Sequence, residues 1–171
     1  RSGVQDAELF SWLRGLYPIW AGLTPEMVQV STQVAMAELL LSGCTTVADH
    51  QYHYYPGMDF DASEAVFDEA GKLGLRFVLC RGGQTIVRAI DVDPPPQVRP
   101  ETLEQFFTAV ERDVHRYHQS GPRPMRQVVS APTTPTWSVA VDHLKPMAQE
   151  ARRLGIRLHS HLSETVDYVT F

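Results

Sequence analysis

Four times along this chain an amphipathic helical stretch stops at a glycine or a Gly-Pro break and gives way to a short apolar or β-branched run. The first helix is predicted over 25–42, with Thr24 as N-cap and Pro25 at the first helical position. Its apolar residues Val30, Val34, Ala37, Leu40 and Leu41 fall at helical spacing. Gly43 ends it, and a strand follows over 44–49. The second helix covers 62–73, stops at Gly74 and leads to a strand over 75–80. The third covers 101–118, with a Gly-Pro break over 121–124 and a strand over 126–131. The fourth covers 141–154, stops at Gly155 and leads to a strand over 156–161. Pro146 lies inside this last helix, which therefore either starts later than Val141 or is kinked.

Helices alternating with strands imply a parallel sheet joined by helical crossovers. A doubly wound sheet and a (β/α)8 barrel both fit. No G-x-G-x-x-G follows any strand, since Arg81-Gly82-Gly83 does not match it, and this lowers the dinucleotide-binding reading. A closed barrel takes roughly 250 residues, so 171 residues predict about half of one. The stretch over 82–100, with its Asp-Pro-Pro-Pro run, reads as a long loop at a strand's C-terminal end, where such folds keep their sites.

A net charge of −5 argues against binding a phosphate backbone as the main activity. No apolar run is long enough to span a membrane, and the first residues lack a signal-peptide layout. Cytoplasm is the expected compartment. Cys44 and Cys80 form neither a metal spacing nor a disulfide framework.

In a parallel architecture all strand C-termini meet at one rim, and the unusual polar residues sit there. The strand over 156–161 ends in His159, Ser160 and His161, with Glu164 just beyond. Residues two apart share a strand face, so His159 and His161 point the same way. His161 reads as a ligand for Zn²⁺ or Fe²⁺, or as a hydrogen-bonded core histidine. Glu164 reads as a general acid/base, or as an acid favoured in a helix's first turn. Arg81 suits a polar heterocycle or a carboxylate, or an ion pair with Asp49 or Glu164. The aromatic residues from Tyr52 to Tyr55 suit a planar ligand or loop packing. His115 and His118 are expected in solvent. The aromatic segment from Phe10 to Trp20 is expected to pack on a neighbour and is assigned no catalytic role.

Several stretches resemble the amidohydrolase superfamily: Leu9-Phe-x-Trp-Leu-x-x-Leu-Tyr-Pro-x-Trp20, Leu23-Thr-Pro-Glu26, Glu38-Leu-Leu-Leu-Ser-Gly-Cys-Thr-Thr-Val-Ala-Asp-His50 and Leu158-His-Ser-His-Leu-Ser-Glu-Thr165. They are most similar to its aminohydrolase branch of guanine, 8-oxoguanine and isoxanthopterin deaminases and triazine hydrolases. The segments over 52–57 and 131–134 are closest to the isoxanthopterin enzymes, with 8-oxoguanine deaminases second. The resemblance implies an α/β fold, a partial (β/α)8 barrel of roughly strands two to five occupying 1–171 as one domain. It implies one divalent metal, zinc or Fe²⁺, that activates water to displace ammonia from an amino-bearing ring carbon. His161 would bind the metal and Glu164 would shuttle protons, with His159 behind the ligand and Arg81, Tyr52 and His50 contacting a small heterocyclic substrate. No nucleic acid or membrane partner is implied, and a homo-oligomer stays open. The family's first-strand H-x-H pair and its later His and Asp have no counterpart within the 171 residues. The expectation is a fragment inactive by itself, whose parent deaminates an oxidised pterin or an 8-oxoguanine-type purine, or displaces another leaving group such as chloride or an alkylamine from a triazine.

Overall fold

A computed structural model of the chain describes residues 3–86 and 98–166. Among them are five helices and a three-stranded parallel sheet: α1 (Leu9–Trp20), α2 (Pro25–Leu41), β1 (Thr46–Asp49), α3 (Ala62–Leu73), β2 (Arg76–Gly83), α4 (Leu103–Tyr117), β3 (Arg126–Pro132) and α5 (Val141–Arg153). The strand order is β1-β2-β3. β1 runs parallel to β2 from Thr46 opposite Arg76 to Asp49 opposite Leu79, and β2 parallel to β3 from Phe77 opposite Arg126 to Gly83 opposite Pro132.

The helix limits follow local chemistry. Thr24 accepts from the Met27 amide ahead of Pro25, and Asp61 accepts from the Ser63 and Glu64 amides. Thr102 and Gln105 form a reciprocal capping box. Gly74 ends α3 at φ 67°, a left-handed position that only glycine takes readily. α5 begins at Val141 and continues through Pro146, which removes the later-start alternative. His118 is not solvated as expected, because its Nδ1 accepts from the Val128 amide at 3.1 Å and helps to hold β3.

Phe77 and Leu79 share one face of β2 and are fully buried against Val66 and Phe67 of α3. Each such side chain contributes about 1.5–3 kcal/mol through burial. Phe67 meets Phe77 edge-on and stacks on Tyr117 of α4. A second cluster joins Phe106 and Val110 of α4 to Met147 and Ala151 of α5. The predicted apolar face of α2 is only partly the buried one: Val28 and Met36 enter the core, while Val30, Val34 and Leu41 are exposed. α2 is apolar on more than one side, and among the described residues only one side is covered. No helix among the described residues is long and apolar enough to cross a membrane.

Two further differences concern the rim. β2 extends to Gly83, beyond the predicted end at Cys80, so the loop after it starts at Gln84. Most of that loop, over 87–97, lies outside the described residues. The strand predicted over 156–161 appears as an extended segment beside β3, with one parallel bridge between Ser130 and Leu158. It is tied by Ser130 N–H to Arg157 O, His159 N–H to Ser130 O and His161 N–H to Thr133 O. Its direction and place are those expected of a fourth parallel strand.

Gly82 lets the loop after β1 close over the end of β2. Its N–H donates to Gln51 O at 2.7 Å, and an added Cβ would lie 2.5 Å from Tyr52 Cβ and 2.7 Å from Gln51 O. Gly82→Ala is expected to cost about 1–3 kcal/mol or more, read by urea unfolding. An unchanged midpoint would show that the loop moves away freely.

Candidate active site

The parallel ladder carries Asp49, Gly83 and Pro132 to one rim, and the segment after Leu158 arrives at the same end. There the His50 ring lies 4.2 Å from the His161 ring and 5.2 Å from that of His159, centroid to centroid. His50 was expected to contact substrate. It packs against the other two imidazoles, and both its ring nitrogens are buried with no hydrogen-bond partner. His161 donates from Nδ1 to Thr133 O at 3.0 Å. A carbonyl can only accept, so the proton sits on Nδ1 and the Nε2 lone pair is free, the arrangement expected of a metal-binding histidine.

Beyond His161 the chain turns through Ser163 at φ 53°, the non-glycine residue with positive φ among those described. This sparsely populated conformation brings Glu164 back to the same cleft as His161. The cleft is also lined by Tyr52, Gln84, Thr133 and Trp137. Its remaining wall is α1, which presents Trp12, Leu13 and Tyr17. The aromatic N-terminal segment therefore packs on the rim, through Tyr17, Trp137 and Tyr55, and encloses the site. That it packs on a neighbour was expected from sequence; that it is a helix, and its place over the strand ends, come from the tertiary structure. Tyr52, expected to contact substrate, does line the cleft. Its ring is 6.4 Å from that of His161. Gln84, hydrogen-bonded to the Tyr17 hydroxyl, and Trp137 lie after predicted strands but were given no role from sequence.

Arg81 is not in the cleft. Strand alternation puts it on the face of Phe77 and Leu79, towards the helices, where it is 1 % exposed. Its guanidinium makes two bonds to Glu101, at 2.7 and 2.8 Å, and lies 3.6 Å from the centre of the Tyr54 ring. The expected substrate contact and the alternative pairing with Asp49 or Glu164 both give way to this ion pair. Asp113, 4.0 Å from Arg81 Nε, accepts from Ser63 at 2.6 Å and from Arg112 at 2.7 Å, and the Tyr54 hydroxyl bonds to Ser63 at 2.9 Å. This network fastens the loop after β1 to α3 and α4.

Burial governs the electrostatics of the rim. It pushes the Asp49 carboxyl up to about 6. Burial first, and then His161 and His159, push His50 down to about 3, so it stays neutral at ordinary pH. Burial takes His53 down to about 4, with its Nδ1 3.0 Å from Tyr55 Oη. The Tyr52 phenol is raised, mainly by burial and then by Tyr17, Glu164 and Asp49, and stays protonated.

Neutral imidazoles with free lone pairs fit a divalent metal such as zinc. Among the described residues no group of three or more His, Cys, Asp or Glu is arranged to hold an ion. His161 offers one free imidazole nitrogen, with His50 packed behind it.

Two outcomes follow from these interactions. Glu101→Ala strands the buried guanidinium of Arg81 and is expected to cost about 3–5 kcal/mol, measured by urea unfolding; a loss near zero would mean that water reaches Arg81. Histidines held neutral by burial make the unfolded state the better proton acceptor as pH falls from 6.5 towards 4. Asp49 acts oppositely, its raised value favouring the folded state below about 6. Two histidines outweigh one carboxyl, so stability should fall in this window. His53→Gln should make the fall shallower in unfolding measured across pH 4–7, and an unchanged slope would remove His53 as a cause.

Comparison with known proteins agrees with this picture. The Amidohydrolase family model matches residues 2–170. An isoxanthopterin deaminase from an unknown prokaryotic organism is 49% identical over 164 residues, covering 95% of this chain and 34% of its own length. The 8-oxoguanine deaminase of Pseudomonas aeruginosa is 42% identical over 170 residues, covering 98% of this chain and 37% of its own length. The crystal structure of atrazine chlorohydrolase from Arthrobacter aurescens TC1, complexed with zinc, superposes with a TM-score of 0.80 at 25% identity, over 92% of this chain and 36% of that one. The chain thus spans about a third of the length of the curated relatives it matches. With the family model matched almost from end to end, the chain belongs to the amidohydrolase family.

Proposed function

We propose that the protein containing this chain is a metal-dependent deaminase that hydrolyses an amino group from a planar heterocycle, most specifically the oxidised pterin isoxanthopterin. The observation that carries this reading is the convergence of His161, with its Nε2 free, and Glu164 on one aromatic-walled cleft. Similarity to an isoxanthopterin deaminase at 49% identity supports the ring, and the 8-oxoguanine deaminase, at 42%, supports an oxidised purine as the alternative. Likeness to a zinc-complexed atrazine chlorohydrolase supports zinc and keeps a triazine as the third candidate.

In this reading residues 1–171 form one part of a (β/α)8 barrel, its strands two to five. The exposed Val30, Val34 and Leu41 of α2 support a larger core than the described residues supply.

His161 would hold the metal through Nε2, with Thr133 O fixing the ring, and His50 or His159 would sit behind it. When bound, the metal supplies Lewis acidity that makes water a nucleophile near neutral pH. Tyr52 and the α1 aromatics hold the ring flat and exclude solvent. Glu164 takes a proton from the attacking water and delivers it to the departing amine. The ring carbon exchanges its C–N bond for C–O, and ammonia leaves.

The full-length protein should release ammonia from isoxanthopterin, followed by a coupled ammonia assay. Turnover of neither isoxanthopterin nor 8-oxoguanine would sink the substrate assignment. Glu164→Gln should lower kcat by about 10²-fold or more, and a wild-type rate would take Glu164 out of the proton path. The 171-residue chain by itself is expected to lose zinc on dialysis, checked by metal analysis; tightly held stoichiometric zinc would contradict a shared ligand set.

A further inference from the structure

The wall of the cleft facing α1 contains polar atoms that the fold leaves unused. Trp137 is 4% exposed and Thr133 5%, yet Trp137 Nε1 and Thr133 Oγ1 are both buried without a hydrogen-bond partner. Both side chains line the cleft. Their neighbour Thr134 shows how the fold normally treats such a group: its hydroxyl is bonded to Ser138. An indole N–H can only donate, and a buried donor left unmet costs about 1–3 kcal/mol. Such a group is rare in a folded protein and marks a place where something else supplies the acceptor.

Gln84 adds a third group on the same cleft. Its amide lies 3.1 and 3.3 Å from the Tyr17 hydroxyl through nitrogen and oxygen. Tyr17 is itself raised by burial and stays a neutral phenol. One hydroxyl cannot saturate an amide that has two donors and two acceptor sites. Glu164 is the one charged side chain among the described residues lining the cleft. Tyr52, Gln84, Thr133 and Trp137 add uncharged donors, which suit a ring carbonyl and its adjacent N–H.

We infer that Trp137, with Thr133, is a specificity-determining residue: the indole N–H donates to a carbonyl oxygen of the bound ring, and Gln84 reads the neighbouring amide edge. This deepens the deaminase reading and rests on it for the identity of the ring. It selects oxidised, carbonyl-bearing heterocycles over rings of similar size that lack an oxo group, because only the former satisfy the buried donor. α1 takes part as the helix that fixes Tyr17 beside Gln84.

The test is direct binding by the full-length protein of two aminated rings, isoxanthopterin, which carries carbonyls, and 2-aminopurine, which has none. Dissociation constants are measured calorimetrically for wild type, Trp137→Phe and Thr133→Val. Trp137→Phe keeps an aromatic ring against Phe10 while deleting the donor. Isoxanthopterin affinity should fall by about 10-fold or more with 2-aminopurine unaffected, narrowing the preference. Thr133→Val, close to isosteric, should act in the same direction should the tryptophan variant fail to fold. Unchanged affinity for isoxanthopterin, equal weakening for both rings, or no binding of either ring by wild type would each overturn the inference. Ammonia release from the same wild-type sample separates the two readings, since binding without turnover removes the deaminase while leaving carbonyl recognition standing.

Discussion

The rest of the structure depends on β2 being paired in parallel on both sides. Parallel pairing puts every strand's C-terminal end at one rim, and the loops that follow have nowhere else to go. Alternation along β2 then divides labour between its faces. Phe77, Leu79 and Arg81 turn to the helices, while Gly82, with no side chain, lets Gln51 and Tyr52 lie directly over the strand end. A cleft walled by residues from five separate chain segments forms at that rim.

The two sides of the sheet treat buried polar groups differently. On the helix side Arg81 meets Glu101 and Asp113 receives Ser63 and Arg112, with only Arg81 Nε and the Tyr117 hydroxyl left without a hydrogen-bond partner among the described residues. On the rim side His50, Thr133 and Trp137 keep unpartnered atoms. Desolvation without compensation is costly, so its concentration at the rim distinguishes a surface built for stability from one built to receive something. The left-handed Ser163 belongs to the same rim, where it aims Glu164.

Much of the framework was legible in the chain. Thr24-Pro25, Gly43, Gly74 and Gly155 announced where helices begin and end because capping is settled within a few residues. The rim positions of His161, Glu164 and Tyr52 followed from a pattern of helix, stop and strand. Arg81 was misplaced, although its spacing from Phe77 and Leu79 signalled the helix-facing side. A charged residue at a strand end looks functional until its partner is known, and Glu101 lies twenty residues away across a loop. The segment from Phe10 to Trp20 was expected to pack on a neighbour, but which surface it meets is settled only by contacts between distant residues.

The sequence by itself determined four of the helices, the parallel strands and the family, because these rest on periodicity, caps and short motifs. Only the tertiary structure decided that His50 joins His161, that Arg81 is an anchor, and that Trp137, Gln84 and α1 wall the cleft. Those facts concern which distant residues become neighbours, and that is fixed by packing between elements rather than within them.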